Sequence, residues 1–292
     1  MRALILRPLS ILALLLLAWC AAHVSLQRTA QVELQGAHGH PVVVFGDSHA
    51  GDVRLPDVPR FASPAQDLVS TWMWMDAFAR AGGADSKVKA VVLTIWPSKF
   101  GPVAERRLSG RLQKDSWGQS VLGRVAPVLG MRHVFDGAVP WRLRWRMVLN
   151  VFQFRQSILA KGWVCQDQSI GPDYAFRMGI MVKESPWFQE ATVSRWAFDQ
   201  IVQLAEREQW ELVLLEHPLH ESFLSQVNPD AMAAYQAALT AAADHPRITY
   251  VDMAEVALPP SAFRDYHHLT CSGSAAVSAR LDPLLQGWGI VP

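Results

Sequence analysis

Apolar runs and helically spaced apolar positions alternate along most of this chain. Four short apolar runs stop abruptly and read as buried strands: Pro41 to Phe45, Lys89 to Trp96, Trp210 to Leu215 and Ile248 to Asp252. Between and after them lie stretches with helical spacing. Gln66 to Arg80 carries Leu68, Trp72, Met75 and Phe78 or Ala79 on one face and is stopped by Gly82-Gly83. Glu190 to Gln209, the alanine-rich Pro229 to Ala243, and Ser272 to Trp288 complete the set, the last with Ser272 as its cap and Gly287 and Gly289 at its end. Strands alternating with helices predict an α/β domain, a doubly wound and mostly parallel sheet covered on both faces. Gly51 to Pro64, with three prolines, is expected to be loop, and the polar residues 27–40 to be a linker.

Two regions break this alternation. At the N-terminus, Arg2 and Arg7 precede an uncharged apolar stretch from Leu9 to Leu26. Its length suits either a signal peptide, with Cys20-Ala21-Ala22 as a small-residue cleavage site, or an uncleaved membrane anchor. Trp19 is too large for a lipoprotein box ending at Cys20. The anchor is the preferred reading, with the positive flank inside the inner membrane and the chain from Gln27 onward outside it; cleavage would make the protein secreted. A buried core helix is the remaining alternative. The second region, about 100–190, is basic and aromatic. Over residues 105–161, Arg106, Arg107, Arg111, Lys114, Arg124, Arg132, Arg142, Arg144, Arg146, Arg155 and Lys161 are set against Glu105, Asp115 and Asp136, and Trp141 to Arg146 is the densest part. It reads as an insertion over the sheet, offering contact to an anionic polymer or a membrane surface, or simply a solvated basic face.

Composition narrows the field. Half of the 292 residues are hydrophobic, enough for one large core or two small ones. A net charge of +1 argues against a nucleic-acid-binding protein. Twelve tryptophans suit either a carbohydrate-handling surface or an aromatic core. Cys20 lies in the apolar stretch, which leaves Cys165 and Cys271 as a pair that an oxidising compartment would join. There is no Cys-x-x-Cys, so no structural metal is expected, and nothing calls for a cofactor.

The chemistry gathers at two points. Val42 to Phe45 run directly into Gly46-Asp47-Ser48. Sites in open α/β sheets lie outside the carboxyl ends of the strands, so Ser48 would project its hydroxyl into a crevice, unless Gly-Asp-Ser is only a turn. Late in the chain, Asp265 and His268 are three residues apart. On a turn, that spacing lets the carboxylate hold the imidazole in one tautomer and stabilise its protonated form. The other ring nitrogen can then take the serine proton, which is too tightly held at neutral pH to leave unaided. The alternative for Asp265 is a helix cap.

Gly46-Asp47-Ser48 after the first strand, with Asp265-x-x-His268-Leu-Thr-x-x-Gly273 before the last helix, resembles the SGNH, or GDSL-type, hydrolases. With the N-terminal apolar stretch, the pattern is similar to their extracytoplasmic branch, which includes alginate O-acetylation and D-alanine-transfer proteins. The resemblance covers residues 41–288 in architecture but two short motifs in identity. It implies a flavodoxin-like fold, with Ser48 as nucleophile, His268 as general base and Asp265 as its orienting acid. It also implies a Gly and an Asn, one after each of the next two strands, as oxyanion donors. This chain departs there: Phe61 to Asp67 has no Gly, and Pro97-Ser98-Lys99 has no Asn. The Ser48 N–H remains as a donor, with Ser63, Gln66 or Ser98 as substitutes. Loss of one such donor costs about 3–4 kcal/mol of transition-state stabilisation.

Asp47, His49, His217 and His267 complete the set as substrate-binding candidates, although Asp47 can equally hold the turn and the histidines can be satisfied packing residues. The expectation is a serine esterase or O-acyltransferase on an extracellular or cell-envelope polysaccharide, working with other acylation proteins. A non-catalytic polymer-binding component is the alternative. A metallophosphoesterase, suggested by Gly46-Asp47-Ser48-His49-Ala50 with Asp52 and His217 as further ligands, is the weaker one, because the later metal-binding motifs of that family are missing.

Overall fold

The computed structural model describes residues 30–62, 67–101, 186–253, 256 and 258–289, together with scattered positions of a helix between residues 11 and 28. Its centre is a five-stranded sheet. The strands are β1 (Val42–Gly46), β2 (Arg60–Ala62), β3 (Ala90–Ile95), β4 (Glu211–Glu216) and β5 (Ile248–Val251). All pair in parallel, in the order β2-β1-β3-β4-β5. That order is compatible with a flavodoxin-like doubly wound fold. β2 lies in the stretch expected to be loop. It has only three residues at a sheet edge, too few to make a periodic signal among the prolines.

The continuous apolar strands have the burial on both faces that their sequence implies. Val43, Phe45, Val91, Leu93, Leu212 and Leu214 point to one side of the sheet. They pack there with α1 (Leu68–Ala81), α3 (Thr192–Glu208) and α5 (Pro229–Ala242). Val42, Val44, Val92, Val213 and Leu215 point to the other side, against Val277, Leu281 and Leu285 of α6 (Cys271–Gly287). Of two short helices, α2 (Trp187–Glu190) precedes α3 in the chain and α4 (Glu221–Leu224) follows β4. Trp187 is fully buried, so this tryptophan belongs to the core.

Asp67 caps α1 by accepting from the Ser70 N–H, and Asn228 caps α5. The cap of α6 is Thr270 rather than Ser272: its hydroxyl accepts from the Gly273 N–H, and the helix starts at Cys271. Gly273 itself is required by close packing, since a Cβ there would stand 2.2 Å from the Ala262 carbonyl oxygen. Residues 30–37, expected as linker, are helical, and Ala30, Leu34 and Ala37 pack into the core. A few small apolar residues spaced along a polar stretch sufficed once a surface was there to receive them.

Among the described residues no helix is long and apolar enough to cross a membrane. Ser63, Gln66 and the basic insertion from 102 to 185 lie outside the described residues. Cys20 is free and exposed. Cys271 is disulfide-bonded, while Cys165, its expected partner, lies outside the described residues.

Candidate active site

The order of the sheet reverses between β1 and β3, and the carboxyl ends of these two strands form the floor of the site. β1 ends at Gly46, which is needed because β3 comes so close: a Cβ at residue 46 would lie 1.8 Å from Thr94 Oγ1. The chain then enters a single 3-10 turn, Ser48–Gly51. Asp47 caps that turn, its Oδ1 accepting from the His49 N–H at 2.9 Å. The turn leaves Ser48 half-buried while Asp47 and His49 on either side are completely buried.

The second segment is a loop closed by an antiparallel bridge between Phe263 and Leu269. Asp265 shapes this loop from within. Its Oδ1 accepts from the backbone N–H groups of His267 at 2.9 Å and His268 at 2.7 Å. Its Oδ2 lies 2.8 Å from His268 Nδ1. One carboxylate thus sets both the backbone and the ring of the histidine. His268 Nε2 then meets Ser48 Oγ at 2.8 Å. A ring that donates from Nδ1 to a carboxylate has its lone pair on Nε2, facing the serine hydroxyl.

Burial alone would raise the Asp265 carboxyl. The His268 hydrogen bond, the neighbouring His267 and His268, and the backbone N–H outweigh it and hold the group well below the usual carboxylate range. Asp47 follows the same logic. Burial works against its charge, but His49 and Lys99 overcome it and keep its carboxyl well below the ordinary value. Lys99 Nζ lies 2.7 Å from Asp47 Oδ2, and both side chains are essentially without solvent contact. Trp96 Nε1 donates to the same oxygen at 3.0 Å. His49 Nδ1 lies 2.6 Å from Asp47 Oδ1. Burial pushes the His49 ring down to about 4 despite this carboxylate. The neutral ring presents Nε2 to His267 Nδ1 at 2.9 Å. Burial likewise pushes His267 well below the ordinary histidine value.

Asp52 ties the two segments together. Its Oδ2 lies 3.1 Å from His217 Nε2 and accepts from the Leu269 N–H at 3.3 Å. His217, the residue after β4, packs against the His49 ring, the two tilted by 49° with centroids 4.1 Å apart. Each residue expected from the sequence to act chemically, Ser48, Asp265 and His268, is therefore in one constellation. The four substrate-binding candidates are there too, but Asp47, His49 and His217 have no exposed surface and His267 has little. They are placed to hold the serine turn from beneath rather than to touch a substrate. Ser98 is half-buried in the 3-10 turn after β3, Pro97–Phe100.

Lys99 and Trp96 are the site residues that the sequence reading missed. Lys99 occupies the turn where the resemblance called for an Asn. A lysine just after a strand ordinarily reads as solvated, and only the buried Asp47 opposite it explains its position. The sequence matches no protein-family model and no curated protein.

Proposed function

We propose that this protein is a serine esterase or O-acyltransferase of the SGNH type. The observation that carries the reading is the unbroken line of hydrogen bonds from Ser48 Oγ through His268 to Asp265, at 2.8 Å on each side of the ring. His268 Nε2 takes the Ser48 proton as Oγ attacks an acyl ester carbonyl. Asp265 stabilises the imidazolium that forms. Collapse of the tetrahedral intermediate breaks the ester bond, and His268 returns the proton to the leaving alcohol. Ser48 then carries the acyl group until water, or a hydroxyl of an acceptor, attacks with His268 again as base. The Ser48 N–H, at the start of its 3-10 turn, is one oxyanion donor, and Ser63, Gln66 and Ser98 are the sequence candidates for others.

The substrate class in this reading is an acylated extracellular or cell-envelope polysaccharide. Its support is the basic, tryptophan-rich composition of residues 100–190 and the apolar N-terminus. Residues 9–26 would hold the protein at the inner membrane with the domain outside it, where partner acylation proteins would meet it. The exposure of Ile11, Leu14 and Leu17 along the N-terminal helix suits that placement. The metallophosphoesterase alternative loses ground at Asp47, because its carboxylate already holds the Lys99 ammonium where a divalent ion would bind. The test is fluorophosphonate labelling of Ser48 in the wild type, paired with polymer acylation in a Ser48→Ala strain. Labelling abolished in His268→Ala, with acylation altered in the Ser48→Ala strain, is the expected result. Absence of labelling with unchanged acylation overturns catalysis and leaves a polymer-binding role.

A further inference from the structure

Three imidazoles crowd the serine, and acyl transfer uses only one of them. One ring nitrogen from each of His49, His267 and His268 lies within 4.8 Å of the other two. The hydrogen bonds identify which nitrogens these are. His49 turns Nδ1 to Asp47 and His268 turns Nδ1 to Asp265, so each has Nε2 left. His49 Nε2 faces His267 Nδ1 at 2.9 Å.

Three imidazole nitrogens with a fourth position open are the donor set of a four-coordinate zinc ion. Ligating histidines are typically steered by a carboxylate or carbonyl on the far ring nitrogen, which fixes the tautomer and makes the ligand more basic. Two of the three rings have such a carboxylate, Asp47 at 2.6 Å and Asp265 at 2.8 Å. Zn–N bonds of about 2.0–2.1 Å in a tetrahedron put ligand nitrogens roughly 3.4 Å apart. The His49–His267 pair at 2.9 Å needs to open by about half an ångström, and the wider separations need to close. The His268 side chain is 12% exposed, so the cluster meets solvent at that ring, and Ser48 Oγ, 2.8 Å from His268 Nε2, is at hand as a fourth ligand.

We propose that His49 Nε2, His267 Nδ1 and His268 Nε2 form a site for a divalent transition metal of the zinc class, and that its occupation silences Ser48. Coordination at His267 Nδ1 moves that ring's proton to Nε2 through solvent, and all three rings bind as neutral imidazoles. The metal takes the Nε2 lone pair of His268, so the serine proton has no acceptor. The site rests on the geometry of the three rings alone; the silencing rests also on the reading of Ser48 as nucleophile.

The test uses the full chain stripped of metal by a chelator. Titration with Zn2+ should show a single tight equivalent, and Co2+ should give the intense visible absorption of a four-coordinate site. His267→Asn and His49→Gln should each weaken Zn2+ binding about tenfold or more. Saturating Zn2+ should slow fluorophosphonate labelling of wild-type Ser48 by about tenfold or more, and a chelator should restore it. Failure of the wild type to bind Zn2+, or binding with no four-coordinate Co2+ spectrum, overturns the site whether or not the variants fold. Zn2+ bound at these histidines without slower labelling overturns the silencing. Absence of labelling in metal-free protein counts against the serine reading, while the Zn2+ and Co2+ titrations still decide the metal site.

Discussion

Ser48 Oγ and His268 Nε2 meet at 2.8 Å although 220 residues separate them in the chain. The Asp265 carboxylate holds that ring in place and also bonds two backbone N–H groups of its own loop. Asp265→Asn keeps the size of the side chain but offers an amide where a carboxylate oriented the ring. A wrong tautomer of this kind costs on the order of 10³–10⁴ in rate. The labelling rate of Ser48 should fall by that order in Asp265→Asn, with the far-ultraviolet circular dichroism unchanged. A fall of less than about tenfold would mean that Asp265 shapes the loop and does little for the base.

The buried Lys99–Asp47 pair makes a different prediction. Lys99→Met removes the cation but leaves a carboxylate with no solvent contact. Breaking one side of a buried pair costs about 3–5 kcal/mol. Urea denaturation at neutral pH should show a loss of this size. Lys99→Met combined with Asp47→Asn should recover part of it, because the uncompensated charge is gone. Equal stability of Lys99→Met and wild type would exclude the pair as the anchor of the serine turn.

Gly46→Ala tests the close approach of β1 to β3. The new Cβ would stand 1.8 Å from Thr94 Oγ1 and 3.2 Å from Thr94 Cβ. Overpacking of this kind costs about 1–3 kcal/mol and here displaces the strand end that carries Ser48. Thermal unfolding should show the loss, and Ser48 labelling should slow. Thr94→Ala in the same chain should relieve both, since the hydroxyl is the nearer obstacle.

Glu216 predicts a pH dependence. It ends β4 without solvent contact, accepts a hydrogen bond from the Tyr250 hydroxyl, and lies near Tyr235 and Asp252. Burial pushes its carboxyl up from 4.5 to about 7. Below pH 4.5 the group is protonated in both folded and unfolded chains and has no differential effect. As pH rises to about 7 the unfolded chain loses the proton first, so folding stability falls, by about 3 kcal/mol at about 1.4 kcal/mol per unit. Glu216→Gln does not titrate. Its stability relative to wild type should therefore rise by about that amount across this range, measured by urea denaturation in a pH series. His49 works in the opposite sense, since its lowered value makes stability fall as pH drops from 6.5 toward 4. The comparison of Glu216→Gln with wild type cancels that contribution. A flat difference would remove Glu216 as the titrating group.

Much of this protein was determined locally and is legible in its sequence. The strands Val42–Gly46, Ala90–Ile95 and Glu211–Glu216 are apolar on both faces through their middles, with Thr94 and the terminal Glu211 and Glu216 as their polar residues, which is the pattern of a sheet buried on both sides. Ser48, Asp265 and His268 could be picked out as candidates from residue type and spacing, because an Asp three residues before a His can reach its ring, and the structure brings the three together. What only the tertiary structure decided is whatever depends on charges meeting across the fold. Lys99 reads as solvated until Asp47 faces it, and His49 and His267, substrate-binding candidates in the sequence, prove to be buried rings that meet each other at 2.9 Å. The three-residue β2 and the helical residues 30–37 were invisible for a related reason. Neither is long or apolar enough to declare itself, and each is stabilised by the neighbour it pairs with or packs against.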